Sequence, residues 1–139
     1  MPNIVSFSWY GERVKNVTID AVKKGIDQVT ILCVSTAKAD TPVITSALHG
    51  SIQMRPAVRS GNSVMGQWGS WSINYAASVE YGSKPHRIYP KVKKALFWPG
   101  ALHPVPYVNH PGYKGKHMLE NAAKKHYPKL VSFIRSNMK

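Results

Sequence analysis

A chain of 139 residues, 43% hydrophobic and 10% aromatic, has the size of one ordinary domain with a single core, and too much apolar content for wholesale disorder. Its 19 Lys and Arg against 6 Asp and Glu give a formal charge of +13, which points to a polyanion or an acidic partner because an unpaired field of one sign repels itself. The lone cysteine cannot form an internal disulfide, no run approaches the ~18 apolar residues of a spanning helix, and no charged, apolar leader opens the sequence, so cytosolic synthesis without a membrane role is expected.

From Ser8 to Ala37, the residues Val14, Val17, Ala21, Val22, Gly25, Ile26, Val29, Leu32, Cys33 and Thr36 recur at spacings of three and four. That period predicts one long amphipathic helix with Ser8 as its N-cap, ended at Asp40-Thr41-Pro42 because Pro42 disfavours helical geometry at Thr41. Its β-branched residues and Gly25 lower local propensity, so the helix needs a packing partner. A short helical turn is expected over 45–51. Alternating character over 52–58 and 64–74, joined at Ser60-Gly61-Asn62, predicts a β-hairpin, with Gly66 and Gly69 marking a bulge.

Residues 75–81 read as a short helix stopped by Gly82 in a left-handed cap. Short strands are expected at 87–89, 95–98 and 105–109, fragmented by Pro85, Pro90, Pro99, Pro104, Pro106 and Pro111, which cannot donate to a ladder. Met118, Leu119, Ala122, Ala123, Leu130, Phe133 and Ile134 then predict a helix over 116–137, broken near 124–128 by Pro128. The expected fold is α+β, a mostly antiparallel sheet of short strands flanked by a long N-terminal helix and a C-terminal helix.

Chemistry-bearing residues are sparse. The six histidines are scattered, with no His-x-x-x-His pair and no cysteine cluster, so neither a metal nor a cofactor is expected. Glu12, Asp20 and Asp27 fall among lysines on the first helix, where surface charge is the ordinary role, and Asp40 suits a turn cap. Cys33 reads as a small buried hydrophobe. Gly66-Gln67-Trp68-Gly69 lacks the Lys-Ser/Thr of a phosphate loop. No coherent catalytic set emerges. Trp71 and Trp98 read as core residues, while Trp9 and Trp68 suit core or interface equally.

The charge is uneven. Residues 1–80 carry seven bases and five acids, whereas 81–139 carry twelve bases and one acid, Glu120. Lys84, Arg87, Lys91, Lys93, Lys94, Lys114, Lys116, Lys124, Lys125 and Lys129 form a candidate surface for DNA or an acidic partner. Fourteen lysines against five arginines favour sequence-independent phosphate contacts over base reading.

Three motifs stand in series: Tyr75-Ala-Ala-Ser-Val-Glu80-Tyr81-Gly82-Ser83-Lys84-Pro85-His86, then Ile88-Tyr89-Pro90-Lys91-Val92-Lys93-Lys94-Ala95-Leu96, then Val108-Asn109-His110-Pro111-Gly112-Tyr113-Lys114-Gly115-Lys116. Their order resembles the neck proteins of long-tailed bacteriophages, the head-to-tail joining or tail-completion family. The resemblance implies a non-enzymatic virion protein, made in the host cytoplasm, that forms a homo-oligomeric ring between head and tail. Its implied partners are other copies of itself, adjoining neck, connector and tail-tube proteins, and genomic DNA without sequence specificity. It further implies that Glu80, Tyr81, Gly82, Pro85 and His86 shape a loop beside the sheet. Glu80 would pair with backbone or a base such as Arg87, and His110-Pro111-Gly112 would turn the chain into the last helix. Where relatives place an aromatic-rich segment, this chain has Lys116-His117-Met118-Leu119. The alternatives are a free, non-specific nucleic-acid-binding protein and a small basic nuclease using His86 and His110.

Overall fold

The computed structural model describes residues 8, 10–43 and 46–138; Trp9 and the first residue of the turn expected over 45–51 lie outside them. The described residues form two compact units, one from Met1–Ile73 with Met118–Lys139 and the other from Asn74–His117.

The first unit is built on helix α1, Gly11–Asp40. Tyr10, not Ser8, occupies its N-cap, with no side-chain cap bond, so the helix starts two residues later than expected. At the other end Thr41 is extended, with φ −75° and ψ 130°, as the following Pro42 requires. Helix α2, Ala47–Ser51, leads into strand β1, Ile52–Ser60, which pairs antiparallel with β2, Ser63–Ser70. Gly61 (φ 60°) and Asn62 make the two-residue turn between them, with glycine at the position that needs positive φ.

The bulge lies on β1 and not at the glycines of β2. Arg55 pairs with Gln67 and Val58 with Met65, which sets Pro56 and Ala57 against the single residue Gly66. Pro56 has no N–H to give, and the buried Ala57 N–H leaves the ladder to donate to Asp27 Oδ1 on α1 at 2.7 Å. Asp27 is therefore a half-buried anchor of the hairpin, not a surface charge. Gly66 is the matching socket: a Cβ there would collide with the Ile26 side chain. Gly69 is in register opposite Gln53 and bulges nothing.

Helices α4, Met118–His126, and α5, Leu130–Asn137, pack on α1 and are separated by a single 3₁₀ turn, Tyr127–Lys129, that holds Pro128. The break falls where proline removes the helical donor. Small residues set this contact. Cys33, Ala37 and Ala122 are fully buried, Cys33 Sγ reaches the Ala122 carbonyl at 3.7 Å, and a Cβ on Gly25 would stand 2.7 Å from Ile134 Cγ1. Burial raises the Cys33 thiol pKa, in keeping with an inert core position. Thr41 closes the end of the interface, its hydroxyl donating to the Ala37 carbonyl and touching Met118 Sδ at 3.2 Å.

His126 is buried on α4. Its Nδ1 lies 3.5 Å from Lys129 Nζ, an obligate donor, so Nε2 carries the proton and donates to Thr36 Oγ1 at 2.7 Å. Desolvation first, then the charges of Lys129 and Lys125, lower its pKa.

The second unit comprises α3, Ala76–Tyr81, and four short strands: β3, Gly82–Ser83; β4, His86–Ile88; β5, Val108–His110; and β6, Tyr113–Lys114. β3 pairs with β6 and β4 with β5, both antiparallel. The strand expected at 95–98 is reduced to one bridge, Leu96 to Val105, because Pro99, Pro104 and Pro106 interrupt the ladder around it. The fold is α+β, with the long N-terminal helix, the C-terminal helices and antiparallel strands in three two-stranded sheets.

Replacing Asp27 by Ala should cost about 1–3 kcal/mol in urea unfolding, because it strands the buried Ala57 N–H. The His126 argument gives a pH dependence. The unfolded histidine takes up a proton below about pH 6.5, while the folded one, its pKa lowered, resists. Stability should therefore fall as pH drops from 7 through that value, and His126→Gln, which can still hydrogen-bond but does not titrate, should flatten the urea midpoint between pH 7.5 and 5.

Candidate functional site

The motif residues come together in the second unit. Antiparallel pairing sets Gly82 opposite Lys114, Ser83 opposite Tyr113, His86 opposite His110 and Arg87 opposite Asn109. The loop of Glu80, Tyr81, Gly82, Pro85 and His86 is thus folded directly against the turn His110-Pro111-Gly112. Gly82 ends α3 with φ 81° and ψ −172°, a mirror-extended conformation open to glycine and different from the expected left-handed cap. A Cβ on Gly82 would strike the Tyr113 carbonyl oxygen, and one on Gly112, at φ 77°, would strike the Ser83 carbonyl and stand 2.9 Å from Pro85 N. The two segments therefore meet backbone to backbone. Amides of Lys116 and His117 donate to the carbonyls of Val79 and Glu80 at 2.8 and 3.0 Å, tying the far end of the second segment to α3. Glu80 is buried, whereas Tyr81 is exposed.

His86 and His110 are cross-strand partners with ring centroids 5.0 Å apart. His86 Nδ1 bonds the Lys84 carbonyl at 2.7 Å and must donate there, while His110 Nδ1 accepts from the Gly112 amide at 3.0 Å. Each imidazole thus fastens a local turn through Nδ1. Tyr113 meets the His110 ring edge-on at 6.3 Å.

Beyond β4 and β5 the chain runs as irregular segments tied by the Leu96–Val105 bridge, and residues 86–110 together form an arm. The Arg87 guanidinium lies over the Tyr107 ring at 4.9 Å, and Tyr89 stands 6.0 Å from the same ring. The Leu96 and Val105 amides exchange hydrogen bonds of 2.8 and 2.9 Å further out. Lys91, Lys93 and Lys94 are exposed on the arm, as are Lys114 on β6 and Lys84 and Lys116 just beyond β3 and β6. Lys124, Lys125 and Lys129 belong to the first unit, where Lys124 bonds Glu120 at 2.6 Å and Lys129 approaches His126. The basic surface read as one from the sequence is thereby shared between two units.

Neither tryptophan assigned to the core is buried. Trp71 is 48% exposed with Arg55 stacked 4.1 Å above its ring, and Trp98 is 46% exposed. Trp68 is half-buried and donates from Nε1 to the Tyr127 hydroxyl at 3.0 Å, at the rim of a cavity of about 260 Å³ lined by Ile26, Val29, Thr30, Gly66 and Leu130. Among the described residues no helix is long and apolar enough to cross a membrane.

Gly82→Ala and Gly112→Ala should each cost about 1–3 kcal/mol from backbone strain alone. Faster proteolysis within 74–117, with helicity of the first unit retained, is the expected readout.

No family model, no curated protein and no solved structure matches the chain.

Proposed function

We propose that this chain is a structural subunit of the neck of a long-tailed bacteriophage, one that assembles with copies of itself into a ring completing the tail and joining it to the head. The observation that carries the proposal is the state of the β1–β2 hairpin. It is a two-stranded sheet with one face on α1, while the other face presents Val58 and Met65, cross-strand partners 65% and 66% exposed. Two-stranded sheets are marginal alone, and their unpaired edges invite pairing by another chain. Val14, Val17 and Ile31 add exposed apolar area along α1. A subunit with an apolar outer face and open strand edges suits repeated head-to-tail contacts, which close into a ring when the rotation permits.

The motif series fits the same reading. Its glycines and histidines go into backbone-to-backbone packing and turn bonds, a use that suits a precisely shaped connector loop. The net charge of +13 opposes self-association at low ionic strength, so salt should favour the ring.

Sedimentation and negative-stain imaging across 0.05–0.5 M salt, with and without tail-tube protein, should reveal closed rings of identical subunits. Val58→Glu with Met65→Glu should abolish them while leaving the circular dichroism spectrum unchanged. A wild-type chain that stays monomeric under every one of these conditions would refute the proposal.

A further inference from the structure

The second unit presents a surface that assembly with like copies does not account for. Its 44 residues carry seven bases and a single acid, Glu80, and that acid is buried. Every charge on its exposed surface is therefore positive. Half of the fourteen aromatic residues of the chain lie in this third of its length, and Tyr75, Tyr81, Tyr89, Phe97, Trp98, Tyr107 and Tyr113 are all exposed.

Cations and rings interleave along the arm. Arg87, Tyr107 and Tyr89 cluster, with the guanidinium 4.9 Å over the Tyr107 ring and the Tyr89 ring 6.0 Å away at an interplanar angle of 47°. Lys91, Lys93 and Lys94 follow within five residues, then Phe97 and Trp98. The same surface of a second copy is a poor occupant, because every charge exposed on it is positive. An acidic protein would satisfy the charge and could use the rings, yet lysine, which supplies most of the cations here, is depleted at protein interfaces. A chain of phosphates bearing planar bases satisfies both features at once. Lysines make mobile, sequence-independent phosphate contacts, and aromatic side chains stack on any base whose face is open.

We propose that the arm of the second unit, residues 86–110, binds single-stranded nucleic acid without sequence preference. Lys91, Lys93 and Lys94 neutralise phosphates, and Tyr107, backed on one face by Arg87, stacks on a base. This stands apart from the assembly reading, since binding is measured per subunit whether or not rings form.

Fluorescence anisotropy with labelled 20-nucleotide single-stranded DNA, matched duplex and poly-glutamate competitor tests it. Changing Lys91, Lys93 and Lys94 together to Ala should weaken single-strand binding about a hundredfold at 0.1 M salt and flatten the log-log salt slope by about 2. Tyr107→Ala should lower affinity about five- to hundredfold at unchanged salt slope, and Tyr107→Phe should restore it. All four side chains are exposed, so these variants should keep the wild-type unfolding midpoint. Duplex bound as tightly as single strand, or an unchanged affinity in either the lysine or the Tyr107→Ala variant, would overturn the proposal. Poly-glutamate competing as well as the oligonucleotide would overturn it in favour of an acidic protein.

Discussion

The first unit depends on the way α1 closes the defect in its own hairpin. Proline at 56 interrupts β1, and the extra residue turns the Ala57 amide out of the ladder into a position 1% exposed to solvent. A buried amide without an acceptor costs about 1–3 kcal/mol, and Asp27 supplies that acceptor from thirty residues upstream. One turn of helix also delivers Ile26 into the space that Gly66 leaves by lacking a side chain. The two contacts are coupled by geometry. The bulge fixes where Gly66 faces α1, and Gly66 fixes how closely α1 approaches, so register, helix rotation and strand curvature are settled at one point.

The opposite side of α1 uses a different means to the same end. Cys33, Ala37, Ala122 and Gly25 are small, so α4 and α5 approach closely and Ile134 fills the notch over Gly25. The cost of so close an approach is that the core has few large members. Among the described residues Ile52, Met118 and Cys33 are the largest fully buried side chains, while Val17, Ile31, Val58 and Met65 remain outside. Small contacts give precise geometry at modest hydrophobic gain. In the proposed ring, a neighbouring copy over this outer face would add the apolar burial that the small contacts forgo.

The sequence revealed the elements governed by local rules. The three-and-four spacing of α1, the Gly61-Asn62 turn and the break at Pro128 each follow from a few neighbouring residues. Features fixed by distant partners were hidden. The amide that the bulge at Pro56-Ala57 frees is paired by Asp27, and no pattern within 52–70 contains that carboxylate. Trp71 looked like core by size alone, whereas Arg55 across the hairpin gives its ring a cationic cover at the surface. Of the candidate site, the glycines were readable as backbone requirements. Their reason, the contact of residues 82–85 with 112–115, needed the pairing of β3 with β6 and β4 with β5.

The second unit obeys another logic. Ala76 and Glu80 are its only described residues in the buried class, so side-chain burial contributes little to its shape. Shape comes instead from backbone contacts: paired glycine approaches, two short ladders, and imidazoles tied to the Lys84 carbonyl and the Gly112 amide. Backbone hydrogen bonds of this kind hold a loop in one conformation without consuming its side chains. The lysines and aromatic rings are therefore left facing outward on a defined frame, which is the arrangement a surface requires when its ligand is recognised by charge and stacking. Proline at 90, 99, 104 and 106 serves this end as well, because it limits the ladder that a neighbouring strand could extend and keeps the arm from pairing edge to edge.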